Sequence, residues 1–380
     1  MIYLDNSATT CVFESAAEIM RKQMTEQYFN ASATYAAALQ NERLYLEAKK
    51  SIANSLKCSQ NEVFFNSGGT EGANTALFGA ISASNDRKHI VISAIEHPAV
   101  YDTALALKSR GCSVSIAPVN KDGTVDANVL ASLVTSQTAI VSIMHINNEI
   151  GSINNLSELS KAVKSVNPAT LFHSDGVQAY MHIPCDVIAC GVDIYSVSAH
   201  KIHGSKGMGA MFIKEGTPMK PLIYGGGQQD NMRSGTLNMP GIAGMRAAVD
   251  TLSSMQDLMP KLSDIKNAYI EELKQIAECL IIGDPSKTAP HIFNIAFKGI
   301  QAQVLQNALE EQGVIVGKGA ACSSRTNKIS RVLKELEIQA DYAAGAIRIS
   351  LGAFNTLDEV KPATQIIKDT VLRLRKFKRR

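Results

Sequence analysis

The stretch that decides the fold is Val192-Asp-Ile-Tyr-Ser-Val-Ser-Ala-His200-Lys201-Ile-His-Gly204-Ser-Lys-Gly207, an apolar strand-like run that ends in a lysine and a glycine-rich turn. Ser198 and His200 offer hydrogen-bond donors beside Lys201, and the glycines let the backbone approach a ligand closely. Such surroundings suit a phosphate, and burial of the amine would favour its neutral, imine-forming state. An isolated lysine after a strand is more often a surface residue, so this interpretation depends on the rest of the chain.

Short apolar runs and amphipathic runs alternate on both sides of this segment. Buried strands are predicted over residues 62–65, 89–93, 112–116, 139–144, 170–173, 193–197 and 209–213. Helical patterns lie between most of them, over residues 73–82, 100–110, 126–135 and 156–165. This alternation predicts an α/β domain with a mostly parallel seven-stranded sheet between helices.

The pattern changes after a helix predicted over residues 241–257. The next predicted elements are a long helix over 261–280, a strand over 291–297, a helix over 303–312, a strand over 346–351 and a last helix from Leu357. These elements predict a smaller α+β domain. We therefore expect a large domain over residues 14–256 and a small domain formed by residues 1–13 together with 257–380.

Composition and charge indicate a cytoplasmic protein rather than a secreted or nucleic-acid-binding one. The 380 residues carry a net charge of +3, and six of the last eight residues are basic. A solvated helix end explains that tail best, with an acidic protein or RNA partner as the lesser alternative. We expect no direct nucleic-acid binding, and no signal peptide or membrane-spanning run is visible in the sequence.

The cysteines do not form a recognisable framework. Seven cysteines are scattered along the chain, an odd number that does not suit paired disulfides. Cys185 and Cys190 are five residues apart, which is the wrong spacing for a Cys-x-x-Cys site. We interpret both as core thiols, and likewise Cys58, Cys112 and Cys279.

Residues suited to ligand binding stand where predicted strands end. Gly69 and Thr70 belong to a glycine-rich turn that opens a helix, so their amides suit an anion, and with Ser198 and His200 they predict a phosphate cup. Further polar side chains near other strand ends are His97, Asn148, Asp175 and Gln178. Alone, each of these is more often a cap or a turn residue.

Two more residues point to amino-acid chemistry. Arg348 has the fork geometry that fits an amino-acid carboxylate. Cys322 lies in Gly319-Ala-Ala-Cys322-Ser-Ser324, where small neighbours suit an exposed and mobile thiol. We predict no metal site.

Taken in order, these motifs resemble the class V aminotransferase family of pyridoxal-phosphate (PLP) enzymes, and most closely its cysteine desulfurases. The resemblance covers nearly the whole chain and implies the PLP-dependent transferase fold type I. It also implies a homodimer, because the threonine of Arg233-Ser-Gly-Thr236 reaches the phosphate of the neighbouring subunit's cofactor in that family.

The resemblance assigns a role to each candidate residue. Lys201 would hold PLP as a Schiff base, Asp175 would face the ring nitrogen and Gln178 the phenolic oxygen. His97 would stack on the ring and move protons, and Asn148 would contact cofactor and substrate.

For the substrate, the resemblance implies L-cysteine held by Arg348 and Asn148. Cys322, in a loop of the small domain, would accept the sulfur as a persulfide, and L-alanine would leave. The sulfur acceptor stays open between an iron–sulfur scaffold, a tRNA-thiolation enzyme and a cofactor-biosynthesis enzyme. A selenocysteine lyase, an ordinary aminotransferase and a non-enzymatic binding protein are the rival interpretations.

Overall fold

In the computed structural model, which describes residues 1–84, 86–319 and 329–378, a central sheet runs in the order β2-β8-β7-β6-β5-β3-β4. The described strands, numbered in chain order, are β1 Ile2–Leu4, β2 Val63–Asn66, β3 His89–Ser93, β4 Ser113–Ala117, β5 Thr138–Ser142, β6 Leu171–Asp175, β7 Ile194–Ser198, β8 Gly209–Ile213, β9 Cys279–Ile282, β10 Ile292–Phe297, β11 Val314–Val316 and β12 Ala346–Ser350.

The described α-helices are α1 Glu14–Thr25, α2 Ala36–Leu56, α3 Gly69–Ala83, α4 Pro98–Lys108, α5 Ala127–Leu133, α6 Leu156–Val166, α7 Met239–Ser254, α8 Leu258–Leu273, α9 Ala302–Glu310, α10 Arg331–Glu335, α11 Ala340–Ala343 and α12 Val360–Lys378. Helices α1 and α2 were not predicted from the sequence. They pack against α7.

The central sheet confirms the predicted mostly parallel α/β architecture. Strands β4, β3, β5, β6 and β7 are parallel, whereas β8 is antiparallel to both of its neighbours. Ile90 and Ile92 pack with α3 and α4, and Val91 between them packs on the other face with α6. Successive side chains of a strand point to opposite faces of the sheet. Because both faces are buried, the sequences of these strands are continuous apolar runs.

Several predicted boundaries are wrong by one or two residues, and one matters for the site. Strand β6 continues to Asp175, so Asp175 is the last residue of the strand and not a residue beyond it. Its main chain is held on both sides, because Asp175 pairs with Ser196 of β7 and its oxygen accepts from the His145 N–H at 2.9 Å. Asp175 therefore sits on a rigid element.

The remaining strands form two smaller sheets. β10 lies between β9 and β12 in an antiparallel sheet, and β1 pairs with β11 in parallel. Helix α12 packs against α8 and α9. The pairing of β1 joins the N-terminus to this region, and the predicted division into domains 14–256 and 1–13 with 257–380 stays a prediction.

The predicted helix over 261–280 is wrong at both ends. Helix α8 begins at Leu258 and ends at Leu273, and β9 then starts at Cys279. Glu278 adopts a φ of 51°, in the left-handed region, and interrupts the apolar pattern that predicts one continuous helix. The apolar residues of 279–282 belong to a strand that pairs with β10.

The basic C-terminal helix is only partly the solvated end that we expected. Arg373 and Lys376 are exposed. Arg375 instead donates hydrogen bonds to the main-chain oxygens of Ala277, Glu278 and Lys298, at 2.6, 3.0 and 3.2 Å. Among the described residues, no helix combines the length and the apolar character needed to cross a membrane.

Candidate active site

A cavity of about 230 Å³ at the carboxyl edge of the central sheet gathers most of the predicted site residues. Its lining includes Gly69, Thr70, His97, Asn148, Asp175, Gln178, Ser198, His200, Lys201 and Arg348. Thr236 is exposed and does not line this cavity. Cys322 lies outside the described residues.

The sheet explains why residues so far apart in sequence meet. Asp175 ends β6 and Ser198 ends β7, and these parallel strands are neighbours. His97 follows β3 and caps α4. Ligand sites of open α/β sheets lie beyond the carboxyl ends of the strands, which is where these side chains converge.

Lys201 ends a short 3₁₀ turn that follows β7 directly. Its ammonium donates to the main-chain oxygens of Ser7 and Ala8, at 2.5 and 2.7 Å. The N-terminal segment is bound to the same turn, because the Thr10 N–H donates to the oxygen of His200 at 3.0 Å. Ser7 and Ala8 also line the cavity, and no sequence motif singled them out as site residues.

Asp175 and the half-buried His97 line the same cavity, and their pKa values are shifted in opposite directions. Burial raises the pKa of Asp175, and the nearby His97 and the Val177 N–H, 3.0 Å from Oδ1, oppose that rise. Burial lowers the pKa of His97, and Asp175 opposes it. The Ala99 N–H donates to His97 Nδ1 at 3.1 Å, so in the neutral ring the proton is on Nε2.

Arg348 is almost fully enclosed, with 2% of its surface exposed. Nη1 donates to the main-chain oxygen of Asn148 at 2.7 Å, and Nη2 donates to Asp5 Oδ1 at 2.6 Å. Nε has no hydrogen-bond partner among the described residues. Arg348 lines the cavity, and a guanidinium there is suited to an anionic ligand such as a carboxylate.

Gly317 makes room for this arrangement. It exchanges main-chain hydrogen bonds with Arg348, at 2.8 and 2.9 Å. A Cβ atom on Gly317 would lie 2.9 Å from both Nε and Nη2 of Arg348, closer than real Cβ contacts come. Only glycine therefore fits beside the guanidinium.

The N-terminus of α3 faces a second recess that adjoins the cavity, lined by Thr9, Gly69, Thr70, Ser198, His200 and Lys206 among others. Gly68 precedes the helix and provides no side-chain cap, which leaves main-chain N–H groups of the first turn for a ligand. A Cβ atom on Gly69 would meet Val177 Cγ2 at 2.5 Å, so the tight turn requires glycine there.

His200 contributes to this recess as a neutral ring. Burial lowers its pKa to about 4, helped by Lys201 and Lys206. Its Nδ1 lies 3.2 Å from Thr9 Oγ1. When the Thr9 hydroxyl is the donor, Nε2–H is left to donate to an anion. Together with Ser198 and the helix N-terminus, the donor set matches a phosphate group.

Glu71 connects α3 to the segment that carries Thr236. Its carboxylate accepts from Arg233 Nε at 3.0 Å and from the Ser67 N–H at 2.9 Å. Burial alone would raise the pKa of Glu71, but the hydrogen bonds from Arg233 and Ser67 outweigh it and lower the pKa. The segment 233–236 is thus anchored to the first turn of α3.

Two acidic residues of the site were missed. Asp5 pairs with Arg348, and its position in the mostly polar run Asp5-Asn-Ser-Ala-Thr-Thr10 was the available signal. Glu96 precedes His97 and accepts from Ser93 Oγ at 2.6 Å and the Met144 N–H at 2.9 Å. Burial raises the pKa of Glu96 to about 8, so it is protonated at pH 7.

The family model described as aminotransferase class V matches residues 2–362. The chain belongs to the class V aminotransferase family. As a member of that family it is a PLP-dependent enzyme, and its central sheet confirms the expected fold type I.

Class V relatives resemble the chain over nearly its whole length. Two named cysteine desulfurase IscS, from Dictyoglomus turgidum and Methanosarcina thermophila, are each 35% identical to it, over 377 and 376 residues. These matches cover 98% of this chain and 95% and 93% of the relatives. A solved structure described as a NifS-like protein superposes with a TM-score of 0.92 at 33% identity and covers 98% of this chain and 100% of its own.

Proposed function

We propose that the protein is a cysteine desulfurase that removes sulfur from L-cysteine and releases L-alanine. The observation that carries the proposal is that Lys201, Asp175, His97 and Arg348 line one cavity. An amine, a buried acid–base pair and a carboxylate-binding group are what amino-acid chemistry on PLP requires. The relatives named cysteine desulfurase support the choice of substrate.

The residues present fit PLP. The α3 N-terminus, Thr70, Ser198 and His200 would hold its phosphate, and Asp175 would lie at the ring nitrogen. Gln178 lines the same wall and would donate to the phenolic oxygen; its Nε2 now donates to the Ser7 oxygen at 3.1 Å. When bound, PLP supplies an electron-accepting ring for the charge that develops at the substrate Cα.

The protein's own groups then bind the substrate and move protons. Arg348 and Asn148, which both line the cavity, would hold the cysteine carboxylate. Lys201 would accept the Cα proton, and the neutral His97, with its proton on Nε2, would exchange protons with the substrate thiol. Asp175 would keep the ring nitrogen protonated.

Cys322 is the proposed sulfur acceptor, on sequence grounds alone. Its thiolate would attack the substrate sulfur, so that an S–S bond forms as the Cβ–S bond breaks, and the persulfide stays on the enzyme. The next acceptor is proposed to be a protein of iron–sulfur assembly or tRNA thiolation. The cytoplasm is the expected compartment, since free thiols persist there.

We also propose a homodimer. Thr236 is exposed and lies outside the cavity of its own chain, although Glu71 and Arg233 hold its segment in place. In the same region Tyr224 is 75% exposed, and Leu222 and Ile223 are each 37% exposed. An exposed apolar run beside a fixed loop suits a subunit contact, from which Thr236 would reach the partner's cofactor.

The test is incubation of the purified, PLP-loaded protein with L-cysteine, following alanine and protein-bound sulfur together. We expect equal amounts of alanine and transferable sulfur without any keto acid, and one added sulfur on the peptide that contains Cys322. Cys322→Ala should keep PLP and release almost no alanine. Cys58→Ala is the matched control and should behave as wild type.

Other outcomes would assign a different reaction. A requirement for a keto acid, with conversion of PLP to pyridoxamine phosphate, would make the protein an aminotransferase. Strong preference for selenocysteine in a competition assay would make it a selenocysteine lyase. Lys201→Ala should lose the borohydride-reducible link to PLP; retention of that link would move the attachment site to another lysine.

A further inference from the structure

One side chain from the C-terminal part of the chain contacts the turn that carries His97. Arg331 is the first residue of α10 and is half-buried. Its guanidinium carbon lies 3.4 Å from the centre of the Tyr101 ring, and its Nη2 donates to the main-chain oxygen of Glu96. The face of an aromatic ring attracts a cation at this distance. Arg331 therefore contacts the chain both before and after His97.

These two contacts flank the first turn of α4, which His97 caps. Nδ1 of His97 accepts from the Ala99 N–H at 3.1 Å, and its main-chain oxygen accepts from the Tyr101 N–H at 3.0 Å. Glu96 is one residue before His97 and Tyr101 is four residues after it, which is about one helical turn. One guanidinium thus joins the two ends of the turn that determines where the His97 ring points.

Residues of the central sheet region hold the same turn through the side chain of Glu96. Its Oε1 accepts from Ser93 Oγ at 2.6 Å and from the Met144 N–H at 2.9 Å. Burial raises the pKa of Glu96 to about 8, so this carboxyl is protonated at pH 7 and adds no charge beside His97. These bonds hold Glu96, and Arg331 adds the connection from Glu96 to the helix.

Arg331 also affects His97 through its positive charge. Burial has the largest effect on His97 and lowers its pKa, and the charges of Lys201 and Arg331 lower it further. The carboxylates of Asp175 and Asp102 oppose this shift of the pKa. A neighbouring positive charge disfavours the imidazolium form of a histidine. Arg331 therefore helps to keep the His97 ring neutral, which is the form that accepts a proton.

We propose that Arg331 is a positioning residue of the desulfurase reaction, because it holds the first turn of α4 with the ring of His97 in the cavity. The inference rests on the proposed function, in which His97 exchanges protons with the substrate thiol. Arg331 does not itself line the described cavity, so it acts through His97 and not on the substrate. Arg348 is held by other partners, Asn148 and Asp5, so binding of the substrate carboxylate should not depend on Arg331.

The experiment compares the PLP-loaded wild type with Arg331→Gln, which removes the charge and the ring contact of the guanidinium. We expect kcat for alanine release to fall by roughly one to two orders of magnitude, since a misplaced proton-transfer group costs about that much. KM for L-cysteine should stay within about twofold. NMR of the histidine-labelled protein follows the His97 ring, whose pKa should rise because a nearby positive charge is gone. The spectrum of His97→Asn identifies the signal.

Conservative variants separate the charge from the contacts. Arg331→Lys keeps the charge, so the pKa of His97 should stay close to that of the wild type, but kcat should recover only in part because an ammonium lacks the planar fork. Tyr101→Leu removes the ring beneath the guanidinium and should lower kcat, whereas Tyr101→Phe keeps the ring and should match the wild type. Arg110→Gln is the matched control, because the Arg110 guanidinium carbon lies 5.0 Å from the centre of the Phe78 ring, beyond the other end of α4. It should change neither kcat nor the pKa of His97.

An unchanged kcat and an unchanged His97 pKa in Arg331→Gln would overturn the inference. A fall in kcat that Arg110→Gln reproduces, or that only follows lost PLP binding, would also contradict it, because the effect would then not pass through His97. Where Arg331→Gln does not fold, Tyr101→Leu and Arg331→Lys provide the same test. If the proposed function itself fails, the wild type releases no alanine, and the His97 titration still tests the contact with Arg331.

Discussion

At the scale of single residues, Asp5 is the acidic partner of Arg348, the arginine proposed to bind the substrate. It is the one carboxylate within the described residues that forms a salt bridge with Arg348, whose side chain is 2% exposed. Removing one partner of an enclosed ion pair leaves the other charge without compensation. The position of Arg348, and not only its presence, therefore depends on the N-terminal segment.

Asp5→Asn should destabilise the protein by roughly 2–3 kcal/mol, because a charge-assisted hydrogen bond is weakened in a nearly closed site. It should also raise KM for cysteine while PLP stays bound. Denaturant unfolding and steady-state kinetics check both effects. Glu271→Gln, which breaks the exposed pair with Lys274, is the control and should cost less than about 0.5 kcal/mol. An unchanged KM in Asp5→Asn would mean that the main-chain oxygen of Asn148 positions Arg348 alone.

His97 has two roles that substitution can separate. It caps α4 through Nδ1 and also presents its ring to the cavity. His97→Asn should keep the cap and stay within about 0.5 kcal/mol of wild-type stability, whereas His97→Ala should lose about 1 kcal/mol. Both variants should lose most desulfurase activity. Full activity in His97→Asn would show that the ring takes no part in proton transfer.

At the scale of elements, the first turn of α3 is held by an ion pair that joins it to the Thr236 segment. Arg233→Gln should release that segment and loosen the phosphate recess, because Glu71 would lose its partner. We expect the dissociation constant for PLP to rise about tenfold, equivalent to about 1.4 kcal/mol. Titration of the apoprotein with PLP measures it. Arg246→Gln, which removes the ion pairs of Arg246 with Glu47 of α2 and with Asp250, is the control and should leave PLP binding unchanged.

Elements with a strong local pattern were predictable from the sequence, and elements that depend on distant partners were not. Strands 89–93 and 209–213 were predicted to the residue, because both faces are buried and the apolar run has clear ends. Strands β1 and β11, with three residues each, were missed because they are short and because β1, near the N-terminus, pairs with residues 314–316, far away in the sequence. The start of strand β9 was assigned to the predicted helix 261–280, because the apolar residues over this range fit one helical pattern.

The same distinction holds for the site. The sequence motifs identified Lys201, Asp175 and the turn that contains Gly69 and Thr70. The structure brings these residues together in one cavity. Ser7 and Ala8 contact Lys201 only through main-chain oxygens. A contact of this kind cannot be predicted from the types of side chain in the sequence. Asp5 and Glu96 act through partners far away in sequence, Arg348 and Met144. Such contacts follow from tertiary structure alone.

At the scale of the whole molecule, buried histidines make folding sensitive to acid. Burial lowers the pKa of His173 to about 3 and the pKa values of His145 and His182 to about 4. In the unfolded chain each titrates near 6.5. Between pH 6.5 and about 4 the unfolded chain therefore binds three protons that these folded histidines exclude. Glu96 acts the other way, because its folded pKa of about 8 keeps one proton that the unfolded chain releases above its ordinary pKa of 4.5.

For these three histidines and Glu96 together, the unfolded chain binds about two more protons than the folded chain near pH 5, so their contribution to stability falls as the pH falls from 6.5 towards 4. Above pH 6.5 Glu96 acts alone, and the stability that it provides is lost as the pH rises through about 8. These four groups alone should lower the free energy of unfolding by roughly 2.7 kcal/mol per pH unit near pH 5. Urea unfolding of the PLP-loaded protein at pH 7, 6 and 5 measures the slope. Glu96→Gln removes the opposing proton and should steepen it by about 1.4 kcal/mol per pH unit. A free energy that stays constant from pH 7 to 5 would show that these histidines protonate in the folded protein.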